Sequence, residues 1–380
     1  MTIRICGDVE MTKLPELCSI QYGYAFDSTC FTENSTYLPL VRIRDVKRGY
    51  SETFYSGRYS DDYVIDNDSL LVGMDGEFNI ARWKGGKALL NQRVCKITAK
   101  KSVDEEYIRF ALTKELKEIE NKTSFVTVKH LSAKTLNDME FSIPSYKDQM
   151  LISGILTTIE KIIFARQQQI QKLDGLVKAR FVELFGDPVY NSKRLPIQRL
   201  CKLGSLDRGR SQHRPRNDPK LLNGPYPLIQ TGEVASAGLY ITKYKNTYSE
   251  LGLRQSKMWS AGTLCITIAA NIAQTAILTF DACFPDSVVG FLPNDSINAI
   301  YMHYWFGFFQ KILEKQAPQV AQKNINLKIL SELNVIVPTQ EKQEQFAAFV
   351  EQTDKSKAAV QKALDEAQLL FDSLMQKYFQ

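Results

Sequence analysis

The chain repeats itself, at an offset that settles at 194 residues through the long helices, which restricts it to folds with an internal duplication. Ile143-Pro144-Ser145-Tyr146-Lys147-Asp148-Gln149 leads into a long helix signal, and Val337-Pro338-Thr339-Gln340-Glu341-Lys342-Gln343 leads into a second one that closes the sequence. Within the first, positions spaced alternately three and four apart read Leu156, Ile159, Ile163, Arg166, Ile170, Leu173, Val177, Arg180 and Leu184. Their partners read Val350, Thr353, Lys357, Val360, Leu364, Ala367, Phe371, Leu374 and Tyr378. An apolar seam at that spacing lets two helices pack lengthwise on each other. Each helix is expected to run roughly 38 residues, or about 57 Å, which is too long for the edge of one small domain.

The repeat extends beyond the helices. Leu200-Cys201-Lys202-Leu203 answers Leu17-Cys18-Ser19-Ile20, and Pro227-Leu228-Ile229 answers Pro39-Leu40-Val41. From Leu264 onward Leu70 meets Leu264, Val94 meets Val288, Tyr107 meets Tyr301, Lys129 meets Lys323, Leu131 meets Ile325 and Pro144 meets Pro338. The drift before that point requires two short insertions, both in loop-like sequence where insertions are cheap. Strands are expected over residues 38–43, 70–74 and 94–98, and helices over 104–119 and 131–137. The fold class is therefore α/β (α+β), with two similar globular domains and two long helices whose seams can pair as a coiled coil. The boundaries read 1–143, 144–187, 188–337 and 338–380.

A chain of 380 residues with 44% hydrophobic and 24% charged content has room for two to three cores. The net charge of +6 suits a polyanionic partner without demanding one. Seven cysteines, with no C-x-x-C pair and no nearby histidine cluster, suggest reduced thiols rather than a disulfide framework or a zinc site. No signal-peptide core and no 18-residue apolar run is present, so a cytoplasmic protein without membrane contact is expected.

A duplicated enzyme should carry a duplicated catalytic set, and none is found. Gly85-Gly86-Lys87-Ala88 lacks the hydroxyl residue and leading glycine of a phosphate loop. Of the three histidines, His130 faces Asn324 in the other half and His303 faces Arg109, so neither is repeated; His213 has no metal-ligand spacing to either. The acid pairs Asp61-Asp62 and Glu105-Glu106 read as solvated surface carboxylates. No catalytic residue and no metal ligand is assigned.

Several features suit nucleic acid. Arg208, Arg210, Arg214 and Arg216, with His213, crowd a Pro-interrupted loop read as flexible. Arginine attracts phosphate and can pair bidentately with guanine O6 and N7. Lys315, Gln316, Gln319, Gln322 and Lys323 concentrate amides of the kind adenine N6 and N7 require, and the counterpart carries Lys122, Thr123, Thr127, Lys129 and His130. Arg42, Arg44, Lys47, Arg48, Arg82, Lys84 and Lys87, beside Trp83, form a basic group whose second-half equivalents are mostly neutral, Asn271, Gln274 and Thr275. Phosphate contacts are expected from the first half and amide contacts from the second.

With these residues in hand, the chain resembles a DNA-specificity subunit of a type I restriction-modification system. The likeness rests on the two Pro…Gln helix entries, on Gly73-Met74-Asp75-Gly76, on Leu90-Asn91-Gln92-Arg93-Val94, and on the alternating architecture. Thr267-Ile268-Ala269-Ala270 departs from the first half by lacking its glycines. The resemblance implies a subunit without catalysis of its own that reads a split site in double-stranded DNA, the two long helices packed antiparallel as a coiled coil and setting the gap. It further implies docking of two methylation subunits that use S-adenosylmethionine, and of motor-nuclease restriction subunits that use ATP and Mg²⁺, with no cofactor on this chain. The competing reading is a structural scaffold holding two protein-binding domains on a coiled coil.

Overall fold

The computed structural model describes residues 11–122, 130–269, 272–309, 311–312 and 325–379. They fall into two compact units: Met1–Arg166 with Ala363–Gln380, and Gln167–Lys362. Both boundaries lie inside long helices, Tyr146–Phe185 of 40 residues and Gln340–Tyr378 of 39. Each unit thus owns one half of each helix.

In the first unit, the strands Cys18–Tyr22, Val94–Ala99, Leu70–Gly73 and Ile80–Arg82 form one sheet, in that order. A second sheet joins Phe31–Thr32, Phe54–Tyr55, Leu38–Val41, Ala88–Leu90 and Val64–Ile65. Leu70–Gly73 is buried throughout, as expected of a strand covered on both faces. The second unit repeats the plan: Gly204–Arg208, Val288–Pro293, Leu264–Thr267 and Thr275–Leu278 form the first sheet, with Tyr240–Ile241 added at its edge. Asn246–Tyr248, Leu222–Leu228, Ala282–Cys283 and Met258–Trp259 form the second.

Matched hydrogen bonds explain the repeated Pro…Gln entry. The fully buried Gln149 donates to Pro144 O (2.9 Å) and accepts from the Asp104 N–H (2.9 Å). Gln343 donates to Pro338 O (2.9 Å) and accepts from the Asn298 N–H (2.7 Å). A buried amide can do both at once because it carries a donor and an acceptor. It ties the start of each long helix to the start of the domain helix, Glu105–Lys122 or Ala299–Phe306. Nearby, Tyr107 Oη donates to Ser142 O at 3.0 Å, and Tyr301 Oη to Ile336 O at 2.8 Å.

In the first unit, Ile152 and Leu156 share a core with Tyr107, Phe110, Leu112, Met375 and Tyr378, so the end of the chain packs on the first domain. In the second unit the helices run antiparallel: Asp174 meets Lys357 at 2.7 Å, while Phe181 and Phe185 lie 5.5 Å from Phe346. All nine positions of each seam are buried or half-buried. Outside the seams, Ile162 (44% exposed), Phe164 (60%) and Leu176 (50%) point to solvent.

Three expectations need correcting. The strand expected over 38–43 ends at Val41, because Arg42 turns the chain into a short helix, Ile43–Arg48, whose Asp45 carboxylate accepts from the Arg42 N–H at 3.0 Å. Glu105 and Glu106 are half-buried and ion-paired rather than free in solvent: Arg82 reaches them at 2.7 and 2.5 Å, and Arg109 pairs with Glu106 (2.7 Å) and Glu160 (2.6 Å). Burial alone would raise the Glu106 carboxyl, but Arg109 and Arg82 hold it below the usual carboxylate range. The loop at 208–216 is pinned rather than free: the Gln212 and His213 N–H groups donate to Gln255 Oε1 (2.7 and 3.0 Å), and Arg214 donates to Ser211 O (2.7 Å).

Candidate nucleic-acid interface

In the first unit, Arg44, Lys47, Arg48, Lys84 and Lys87 are exposed around the helix Ile43–Arg48. Gly49 ends that helix at φ +76°, a left-handed conformation that glycine adopts without strain, and the Lys84 N–H donates to Gly49 O at 3.0 Å. Basic side chains from two segments therefore share one face. Lys47 and Arg48 make long, exposed ion pairs with Glu77 (3.9 Å) and Glu52 (3.8 Å), which solvent renders weak. Lys84 and Lys87 have no carboxylate partner among the described residues. Arg82 is held by its two glutamates, and Trp83 is wholly buried with its Nε1 donating to Gly86 O at 2.7 Å. Both belong to the framework. Lys122 is exposed and 3.8 Å from Glu118.

His130 takes a different role. Its Nδ1 is 2.5 Å from Asp75, which also lies 3.5 Å from Arg93, and Arg93 Nη1 is 3.2 Å from His130 Nδ1. The Gly73–Gly76 and Leu90–Val94 motifs are thus brought together by the Asp75–Arg93 ion pair and the contacts of both residues with His130. Beside it, Arg42, Ile43, Arg44, Asn91, Gln92 and Arg93 line a cleft of about 300 Å³. Gly23 makes the loop possible: a Cβ there would lie 2.0 Å from Asn91 O.

In the second unit, Arg214 and Arg216 share the carboxylate of Asp286 at 3.6 and 2.5 Å, and Arg208 donates to its backbone oxygen. His213 pairs with Asp218 at 3.1 Å, while the exposed Arg210 has no carboxylate partner among the described residues. The loop retains a positive excess while its backbone is fixed. It walls a cleft of about 360 Å³ with Gln230, Thr231, Asn246, Tyr248 and Ser287. Gln274 stands elsewhere, on a larger hollow of about 820 Å³ with Lys178, Thr275, His303 and aromatic walls. Thr123, Thr127, Lys129, Asn271, Lys315, Gln316, Gln319, Gln322 and Lys323 lie outside the described residues.

Arg42 belongs to the basic group expected from the sequence, whereas Asn91, Gln92 and Arg93 in its cleft, and Gln230, Asn246 and Ser287 in the other, were not expected as DNA contacts. A signal existed in the motif Leu90–Val94, but scattered residues share a cleft only once the parallel pairing of Leu38–Val41 with Ala88–Leu90 is known. Among the described residues no three His, Cys, Asp or Glu side chains converge as a metal-binding group, and no helix is long and apolar enough to cross a membrane. Burial pushes the Cys18 and Cys95 thiols up to about 12, which keeps them protonated.

Comparison with known proteins matches the duplication. A family model described as type I restriction modification DNA specificity domain fits twice, over residues 7–174 and 200–368. The type I restriction enzyme EcoBI specificity subunit of Escherichia coli is 27% identical over 402 residues, covering 97% of this chain and 84% of that protein. The MjaVIII specificity subunit of Methanocaldococcus jannaschii is 22% identical over 192 residues, covering 50% of this chain and 45% of that protein. Among solved structures, the type I restriction-modification S subunit from M. genitalium superposes with a TM-score of 0.61 at 14% identity, covering 100% of this chain and 98% of that one. A chain from a study of type I restriction-modification complex assembly and conformational transition gives 0.57 at 16% identity, covering 98% and 97%. At such identities the structural likeness speaks for the fold.

Proposed function

Because the chain belongs to the family of type I restriction-modification DNA specificity subunits, we propose that it reads a bipartite site in double-stranded DNA and carries no catalytic centre of its own. Residues 1–143 and 188–337 act as two target-recognition domains, and 144–187 and 338–380 as the helices that fix the gap between half-sites. The observation that carries this reading is a duplicated scaffold with unlike surfaces. The Gln149 and Gln343 hydrogen bonds are the same, whereas the first half carries an exposed basic set around Ile43–Arg48 and the second a cleft lined by amides and hydroxyls.

DNA contacts would come from Arg44, Lys47, Arg48, Lys84 and Lys87 in the first half and from Arg208, Arg210, Arg214 and Arg216 in the second, with phosphate attraction setting affinity and register. The partners are two methylation subunits, which bring S-adenosylmethionine, and motor-nuclease subunits, which bring ATP and Mg²⁺. Each long helix leaves apolar side chains in solvent, Phe164 and Leu176 on one and Leu369 (70% exposed) and Leu370 on the other, as a protein-docking face requires.

The test is an exchange of residues 1–143 for those of another family member, followed by sequencing of methylated sites in a host carrying the complete system. One half of the methylated site is expected to change while the other stays. A change in both halves, or none, would refute independent reading.

A further inference from the structure

The two clefts occupy the same place in the two repeats. Arg42 follows the wholly buried Val41, and Gln230 follows the wholly buried Ile229. Each begins a six-residue helix, Ile43–Arg48 or Thr231–Ser236, whose third residue accepts from its N–H: Asp45 at 3.0 Å for Arg42, Glu233 at 3.1 Å for Gln230. Opposite, the loops 91–93 and 285–287 close with equivalent bonds, Val94 N–H to Asn91 O (3.2 Å) and Val288 N–H to Pro285 O (3.0 Å). The strands between them pair in parallel in both units, Leu40 with Leu89 and Leu228 with Cys283.

The scaffold of the cleft is thus duplicated while its lining is not. Arg42, Arg44 and Arg93 line the first; Gln230, Asn246, Ser287 and one arginine, Arg216, line the second. Each also contains a polar side chain more than nine-tenths buried with an atom that has no partner among the described residues, Asn91 Oδ1 in the first and Ser211 Oγ in the second. Buried polar atoms are normally satisfied, so an orphan in each matched cleft marks a place where a ligand group completes the bonding.

We propose that the matched clefts are the base-reading centres of the two domains, and that residues 42 and 230 hold equivalent specificity-determining positions, Arg42 for a guanine and Gln230 for an adenine. Arginine offers two parallel donors to guanine O6 and N7, while glutamine offers the donor and acceptor that adenine N7 and N6 require. Arg42 is half-buried with its guanidinium 6.0 Å from the Phe31 ring centroid, and it has no carboxylate partner among the described residues to compete for its N–H donors. Gln92, exposed and without a side-chain hydrogen bond among the described residues, supports the same base pair from the opposite lip.

The inference rests on the proposed reading of a bipartite site, and the experiment separates the two. The complex of this chain with its methylation subunits is used to select duplexes from a library randomised in both half-sites. Arg42→Gln is expected to reduce preference for guanine at one position of the first half-site by about ten- to hundredfold, leaving the second half-site unchanged. Gln230→Arg is expected to do the converse. Gln92→Ala, which removes an exposed side chain and cannot unfold the domain, is expected to relax the same position as Arg42→Gln. A uniform loss of affinity with a shallower salt dependence would make Arg42 a phosphate contact and overturn the inference while leaving bipartite reading intact. Unchanged selectivity in all three variants would overturn it equally. Failure of the unaltered complex to select two half-sites would bring down the functional reading with it.

Discussion

Gln149 and Gln343 show what one residue can decide. Each is about 1% exposed and satisfies a helix-start N–H and a proline carbonyl together. Gln149→Leu keeps the volume but orphans both groups, and should destabilise the first unit by about 2–3 kcal/mol, read as a lower unfolding midpoint. An unaltered midpoint would mean that the amide contributes nothing. His303 stands where the other half has Arg109, and differs in having no carboxylate partner among the described residues. Burial, helped by Lys357, pulls its pKa down to about 4, and the Thr275 hydroxyl lies 3.0 Å from its Nδ1. Between about pH 6.5 and 4 the unfolded chain binds a proton that the folded one refuses, so stability falls with pH across that window, by roughly 3 kcal/mol in all. His303→Gln removes this dependence; its unfolding midpoints between pH 4 and 7 should vary less than those of the parent, and a parallel slope would exclude His303 as the cause.

For the long helices, spacing in the sequence separates inside from outside. Leu156 is wholly buried in the seam, and Leu176, the same residue type on the same helix, is half exposed. Leu156→Ala should therefore cost about 3 kcal/mol, while Leu176→Ala should cost about 0.5 kcal/mol or less by thermal unfolding. Equal costs would remove the distinction. The seam was legible because a three-four alternation is a property of the chain itself. Phe181 and Phe185, buried beside Tyr301 and Phe346, were not, because their burial depends on aromatic residues more than a hundred positions away. The same holds for Glu105 and Glu106, whose neighbours Arg82 and Arg109 turn an acid pair into a charged link to the long helix through Glu160.

For the whole molecule, the proposed function makes helix length a measure of DNA spacing. Removing one matched heptad from each long helix shortens the rod by about 10 Å, or about three base pairs. Methylated sites in a host carrying that variant should keep both half-sites with a smaller gap. Loss of the half-site sequences, or an unchanged gap, would reject the ruler. By itself the sequence determined the duplication, the two long helices and the mixed fold class, because repeat offset and apolar period are local and survive without knowledge of contacts. The tertiary structure alone decided that each compact unit takes half of each helix, that Arg82 belongs to the framework, and that Arg42 and Gln230 occupy equivalent clefts. Those facts depend on which distant segments pair across a sheet, and strand pairing is a long-range choice that no local pattern encodes.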